Sequence, residues 1–175
     1  MVTNATAQAV PRWYAVQTRS HAELVVFETL TTKGLEVFLP RYRYRSRRKD
    51  RLAYVEQALF PGYLFVRSAL ARAERIEIRK APGVARIIAF NDAYTPIPDD
   101  EIESLRKVVH FGSDVQPHPF VREGCRVRVV AGALAGVEGF VTRAHEGKPR
   151  IVVSISLLSR SVSIQLEREV VDLVA

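Results

Sequence analysis

Apolar residues return along this chain with two different periods, and the changes of period mark out its elements. Residues 13–18, Trp-Tyr-Ala-Val-Gln-Thr, are aromatic and β-branched and predict a strand. Residues 21–33 then carry Leu24, Val26, Phe27 and Leu30 at helical spacing, which predicts a helix ended by Gly34. Ser20, with Glu23 three residues on, has the pattern of a capping box at its start. Residues 37–39 resume as a strand before Pro40. From 41 to 58 the chain is polar and basic between apolar strands, the pattern of a long hairpin or extended loop off a sheet. Leu59-Phe60-Pro61-Gly62-Tyr63-Leu64-Phe65-Val66 follows, with Pro61-Gly62 as punctuation and residues 63–67 as the next strand. A short helix over 71–80 stops at Pro82-Gly83, and residues 84–90 alternate as a strand. Pro98-Asp99-Asp100-Glu101 opens a last helix with acids at the positive end of its dipole.

Past this point the pattern changes. Residues 111–119 contain Gly112, Pro117 and Pro119 without periodicity and predict a linker. Short Val- and Ile-rich segments at 126–130, 138–145, 150–156 and 161–166 predict strands, separated by turns at Ala131-Gly132, Gly136 and Gly147-Lys148-Pro149. Strands this short and this close imply a small β-barrel. The expected organisation is a disordered leader (1–11), an α+β domain with helices on an antiparallel sheet (12–110), a linker (111–119) and a small all-β SH3-like barrel (120–175).

Composition narrows the chemistry. A net charge of +7 over 175 residues favours polyanions or acidic protein surfaces as partners. The single cysteine, Cys125, excludes an intrachain disulfide and points to a reducing compartment. Residues 1–11 lack the basic and apolar regions of a signal peptide, and no apolar run approaches the length of a membrane span. A cytoplasmic protein with no membrane partner is expected. There is no Gly-rich phosphate loop, metal-spaced cluster or nucleophile elbow, and His21, His110, His118 and His145 are dispersed. The expectation is a non-enzyme, with no catalytic residue, metal or cofactor.

Two segments carry candidate binding chemistry. The run 41–51 holds seven bases and one acid, with Tyr42 and Tyr44 interleaved. Alternation puts Arg41, Arg43 and Arg45 on one side and the tyrosines on the other. Guanidinium groups match phosphate geometry and an aromatic ring stacks on a base, so Arg41, Arg43, Arg45, Arg47, Arg48 and Lys49 are candidate nucleic-acid contacts. The plainer reading is a solvated hairpin, or one packed on protein. In the strand at 63–66, alternation puts Tyr63 and Phe65 on one face and Leu64 and Val66 on the other, so one face can pack inward while the other meets a partner. The plainer reading is that all are core, Trp13 above all.

Val121-Arg122-Glu123-Gly124-Cys125-Arg126-Val127-Arg128-Val129, followed by Gly132 and Ala135-Gly136-Val137-Glu138-Gly139, resembles a KOW motif, which NusG-type factors share with several ribosomal proteins. Gly132, Gly136 and Gly139 permit tight turns and positive φ. Together with Trp13-Tyr14-Ala15-Val16, the basic run and Phe60-Pro61-Gly62-Tyr63-Leu64-Phe65-Val66, it makes the chain resemble the NusG family of transcription elongation factors, over residues 12–110 and the KOW segment. The resemblance implies an elongation and antitermination factor that docks on the β′ clamp helices of RNA polymerase, suppresses pausing and termination, and recruits a second partner through its KOW domain. It assigns the polymerase contact to Tyr14, Phe60, Tyr63 and Phe65. Arg19 falls where specialised members contact non-template DNA, and nascent RNA is the other nucleic-acid partner implied. Leu157-Leu158-Ser159-Arg160 replaces the Phe-Gly-Arg-type turn of housekeeping members. That departure resembles the specialised paralogues, weighs against Rho binding and leaves contact with the ribosome open. Ile155, Leu157 and Leu158 become the candidate KOW partner surface, for a ribosomal protein or another factor, on a chain expected to be a monomer. The alternative is a ribosome-associated or RNA-binding KOW protein whose basic hairpin grips RNA.

Overall fold

In the computed structural model, which describes residues 10–45, 54–111, 115–118, 126–143, 149–165 and 170–173, the elements run in chain order β1 (Arg12–Thr18), α1 (Glu23–Thr32), β2 (Glu36–Phe38), β3 (Arg41–Arg45), β4 (Tyr54–Ala58), β5 (Tyr63–Ser68), α2 (Arg72–Lys80), β6 (Val84–Ile87), β7 (Ala89–Phe90), β8 (Ala93–Tyr94), α3 (Asp99–Phe111), β9 (Gln116–His118), β10 (Arg126–Ala131), β11 (Glu138–Arg143), β12 (Pro149–Ile155), β13 (Arg160–Gln165) and β14 (Val170–Leu173). The chain divides into two units. One comprises residues 1–39 and 62–96, the other residues 40–61 and 97–175.

The first unit is built on a four-stranded antiparallel sheet in the order β2-β5-β1-β6. Two split β-α-β units, β1-α1-β2 and β5-α2-β6, interleave so that each places a strand of the other between its own two. The central pair is β1 and β5, with Ala15 opposite Phe65 and Val16 opposite Leu64. All four are fully buried, as are Val66 beside them and Val26, Leu30 and Ile78 on the helices. Burying β5 on both faces removes apolar area from water on both sides of one strand, which makes it the anchor of this unit.

Two sequence expectations for α1 change. The helix begins at Glu23 after Ala22, and Ser20 makes no cap. His21 takes a positive φ of 58°, which turns the chain before the helix starts. Freed from a capping box, the Glu23 carboxylate accepts the backbone N–H of Gly62 at 2.7 Å. The buried stripe is Val26 and Leu30, four residues apart, whereas Leu24 is 48% exposed. Gly34 ends the helix with φ 81°, as the left-handed C-terminal position requires.

The second unit contains the β3–β4 hairpin, α3 and a six-stranded sheet in the order β14-β10-β11-β12-β13-β9. The barrel expected from sequence is not closed among the described residues: β14 and β9 are the two ends of the sheet and do not pair with each other. Strand β9 lies inside the stretch read as a linker and pairs with β13, Ser161 opposite His118. Val127, Val129, Val137, Ile151, Val153, Ile155 and Val162 form its apolar interior. Helix α3 packs on β11 and β12: Ser104 Oγ accepts Glu138 N–H at 3.3 Å, and Lys107 Nζ donates to Ala135 O at 2.9 Å.

Candidate binding surfaces

Strand register decides which candidate side chains share a face. In the first unit, Trp13, Ala15 and Gln17 stand opposite Arg67, Phe65 and Tyr63, so all six lie on one face of the sheet. Phe38 joins them opposite Phe65, with ring centroids 6.1 Å apart. Tyr14 stands opposite Val66 and belongs to the other face, with Val16 and Leu64. Of the candidate polymerase-contact residues in this unit, Tyr63 and Phe65 therefore share one face and Tyr14 lies on the other. Phe60 and Phe65 are fully buried, and Tyr14 and Tyr63 are half-buried. Of the Tyr63–Phe65 face, Tyr63 and Phe38 remain partly accessible, flanked by exposed Arg67 and Arg86. Arg86 Nε donates to Gln17 Oε1 at 2.8 Å across the edge of that face.

The turn feeding β5 is held from both ends. Thr18 N–H donates to Gly62 O at 2.9 Å while Glu23 takes the Gly62 N–H. Gly62 has φ 82° and open space around the position of a Cβ, so backbone conformation, not room, demands glycine there. Arg19, exposed in the loop after β1, donates its backbone N–H to Gly83 O at 2.7 Å.

The β3–β4 hairpin is closed at its base by Leu59 N–H donating to Pro40 O at 2.9 Å. Arg41 stands opposite Ala58, Arg43 opposite Glu56, and Arg45 opposite Tyr54. Arg43 Nε and Arg41 Nη1 reach the two oxygens of Glu56 at 2.9 and 3.0 Å. These guanidinium groups hold the Glu56 carboxyl below the usual range, the Arg43 hydrogen bond first and the Arg41 charge next. The arginine face is thus partly neutralised by a residue of the facing strand. Tyr42 lies on the other face opposite Gln57. Arg45 has its backbone in β3, and Arg47, Arg48 and Lys49 lie outside the described residues.

In the second unit, residues 126–139 of the segment that resembles a KOW motif form β10, the turn after it and the start of β11. Gly136 N–H donates to Val129 O at 2.7 Å, and Val129 N–H to Val137 O at 2.9 Å. Gly132 and Gly136 take φ 95° and 83°, as expected, but Gly139 does not have positive φ. A Cβ there would run into the Val152 carbonyl and within 3.0 Å of Ile151 Cγ1, so Gly139 is needed for room on the neighbouring strand. Arg126 Nη2 and Arg128 Nε bind Glu138 at 2.9 and 2.8 Å, and chiefly the Arg128 hydrogen bond lowers the Glu138 pKa. Of the candidate KOW partner residues, Ile155 is buried, while Leu157 and Leu158 are half-buried in a single 3-10 turn, Ser156–Leu158. Ser159 follows at φ 49°. Glu101, in the first turn of α3, accepts the Ser156 N–H at 3.1 Å beside that turn. Burial pushes its carboxyl above the usual range, against the opposing pull of the Ser156 hydrogen bonds. A cavity of about 220 Å³ lies here, lined by Asp100, Glu101, Ser104, Arg126, Glu138 and Ser154 among others.

The sequence matches the family described as NusG, transcription termination factor nusG, over residues 11–106. The chain belongs to the NusG family. It is 28% identical to the transcription termination/antitermination protein NusG of Pseudomonas aeruginosa over 167 residues, covering 89% of this chain and 94% of that protein. The same identity links it to NusG of Escherichia coli strain K12, over 89% and 92% of the two chains. Among solved structures, the one described as domain interaction in Thermotoga maritima NusG superposes with a TM-score of 0.55 at 20% identity, covering 90% of this chain and 93% of that one, a likeness of fold. NusG membership makes this a transcription termination/antitermination factor by family. Among the described residues no helix is long and apolar enough to cross a membrane, and no group of three or more His, Cys, Asp or Glu is placed to hold a metal ion.

Sequence reasoning missed Glu56, Tyr54 and Glu101. The first two were within reach: pairing Arg-Tyr-Arg-Tyr-Arg with Tyr-Val-Glu-Gln-Ala in antiparallel register sets the only acid of residues 54–58 against an arginine. Nothing in the sequence placed Glu101 beside Ser156.

Proposed function

We propose that this protein is a specialised NusG-family elongation and antitermination factor. It binds RNA polymerase at the β′ clamp helices and suppresses pausing and termination. Physically this is a population shift: a ligand that prefers the closed, elongating state of polymerase raises its share at the expense of paused states. The observation that carries the reading is the aromatic face of the first unit, which partly accessible Tyr63 and Phe38 share with buried Phe65 and Trp13 in a chain of this family. A half-exposed aromatic rim on a rigid sheet suits a protein interface, because little is lost in ordering it. Phe65 shares the face of Tyr63, and Tyr14 lies on the opposite face. The hairpin arginines Arg41, Arg43, Arg45, Arg47, Arg48 and Lys49, with Arg19, contact nucleic acid near the transcription bubble, either non-template DNA or nascent RNA.

In this reading the second unit closes as a KOW barrel and recruits a further machine, a ribosomal protein or another factor, through Leu157 and Leu158. The short antiparallel strands of the sheet and the glycine-bearing β10–β11 turn support it. The family match across residues 11–106 favours this function over a ribosome-associated or RNA-binding KOW protein. The test is binding of the full chain to purified RNA polymerase elongation complexes, wild type against Tyr63→Asp, with folding checked by circular dichroism. A charge at a central aromatic contact is expected to weaken binding by about 30-fold, as loss of an interface hot spot does. Equal affinity of a folded Tyr63→Asp would remove this face from the interface.

A further inference from the structure

We infer that the β3–β4 hairpin is built for a single nucleic-acid strand, with Tyr54 as its base-stacking platform and Glu56 as a brake on its arginines. This rests on the reading of the hairpin as a nucleic-acid contact and adds two residues of β4 to it. Strand alternation and register put Tyr54 and Glu56 on the same face as Arg41 and Arg43. Tyr54 is 77% exposed, so its ring is open to solvent. Arg43 is similarly open, with 74% of its side chain exposed, so the face is reachable by a ligand.

The charge pattern selects the ligand. Arg41 and Arg43 both terminate on one Glu56 carboxylate, at 3.0 and 2.9 Å, which leaves this described part of the face with two positive charges and one negative. A phosphate engages the arginines by taking the place of Glu56, an exchange of one oxyanion for another in which the displaced carboxylate stays close and repels it. One phosphate run, anchored further by a base stacked on Tyr54, offsets that repulsion. A duplex brings two phosphate strands and keeps its bases stacked inside, so it meets the same repulsion without the ring. Glu56 therefore sets the strength of binding, and Tyr54 the preference for unpaired strands.

The experiment is fluorescence anisotropy of the full-length protein with a labelled 12-nucleotide single strand and with the matching duplex, over a series of salt concentrations. Tyr54→Ala is expected to weaken single-strand binding by about 5- to 150-fold, the range for losing one stacked base. Tyr54→Phe is expected to retain binding, and duplex affinity is expected to stay as it was. Glu56→Gln is expected to tighten both ligands and to steepen the salt dependence for the single strand by about 0.7 in log–log slope, one more phosphate neutralised. Unchanged single-strand affinity in Tyr54→Ala overturns the stacking role. Unchanged or weaker binding by Glu56→Gln overturns the brake. The parent reading fails separately: if wild type does not bind the strand, or binds it as tightly as Arg41→Gln/Arg43→Gln, the hairpin is not a nucleic-acid contact and the inference falls with it. A wild-type preference for duplex overturns the strand selectivity alone.

Discussion

Strand β5 and the β3–β4 hairpin adjoin in sequence, yet one is closed and the other open. Leu64, Phe65 and Val66 are fully buried on both faces of their sheet, whereas Tyr54, Val55 and Arg43 are exposed. Both alternate in sequence, and alternation alone assigns each a face for a partner. What separates them is the number of neighbours. β5 has β1 on one side and β2 on the other, while β3 and β4 form a sheet of two strands. A central strand uses its apolar residues for cohesion, and a two-stranded ribbon leaves its faces open to solvent. Binding chemistry should thus lie on the open element and at the rim of the closed one.

The sharpest way to break this contrast is to truncate one residue in each place. Phe65→Ala is expected to lower the unfolding free energy by about 3–5 kcal/mol, the cost of emptying a buried aromatic site, read by chemical denaturation of the full chain. Arg43→Gln should change the same midpoint no more than other surface substitutions do. A stability loss at Arg43 as large as that at Phe65 would mean the hairpin is part of a core.

Closed and open surroundings separate the glycines too. Gly139→Ala forces a Cβ into the Val152 carbonyl of the adjoining strand and is expected to cost about 3 kcal/mol, the upper end for overpacking. Gly62→Ala meets no atom within 4 Å and carries only the penalty of its φ of 82°, about 1 kcal/mol. The same denaturation experiment ranks them, and equal costs would show that crowding by the Val152 strand does not set the cost at Gly139.

Much of this was legible in the sequence, for a physical reason. Elements follow local patterns, so β5, α2, α3 and the hairpin could be read from apolar spacing and turn residues. Ser20 as a cap and Leu24 as core could not be judged in that way. The entry to α1 is set by the positive φ of His21, and Glu23 is claimed by Gly62, 39 residues away. Gly139 could be recognised as necessary but not why, because its constraint comes from Val152 on another strand. Tyr63 and Phe65 were rightly placed on one face. That Tyr14 lies on the opposite face follows only from the β1–β5 register.

Two glutamates give the smallest and most discriminating test of the contrast. Glu56, on the open hairpin, has its pKa lowered by Arg43 and Arg41, while Glu101, in the first turn of α3, has its pKa raised by burial. For Glu101 the folded state holds the proton more tightly than the unfolded state. Folding therefore carries no penalty from this group below its ordinary value of 4.5, and loses stability as pH rises through the elevated folded pKa. For Glu56 the sign reverses: any stability it adds is present above 4.5 and is lost as pH falls through the lowered folded pKa. Solvent screening keeps that contribution slight. Glu101→Gln retains an oxygen for the Ser156 N–H and removes the charge. Its unfolding midpoint is expected to match wild type near pH 4 and to exceed it at pH 7.5, by a margin that widens with pH. Glu56→Gln should show at most a faint trend of the opposite sign. A Glu101→Gln curve parallel to wild type across this range would mean that the Ser156 hydrogen bonds offset the burial, and that Glu101 belongs with Glu56 among the open positions.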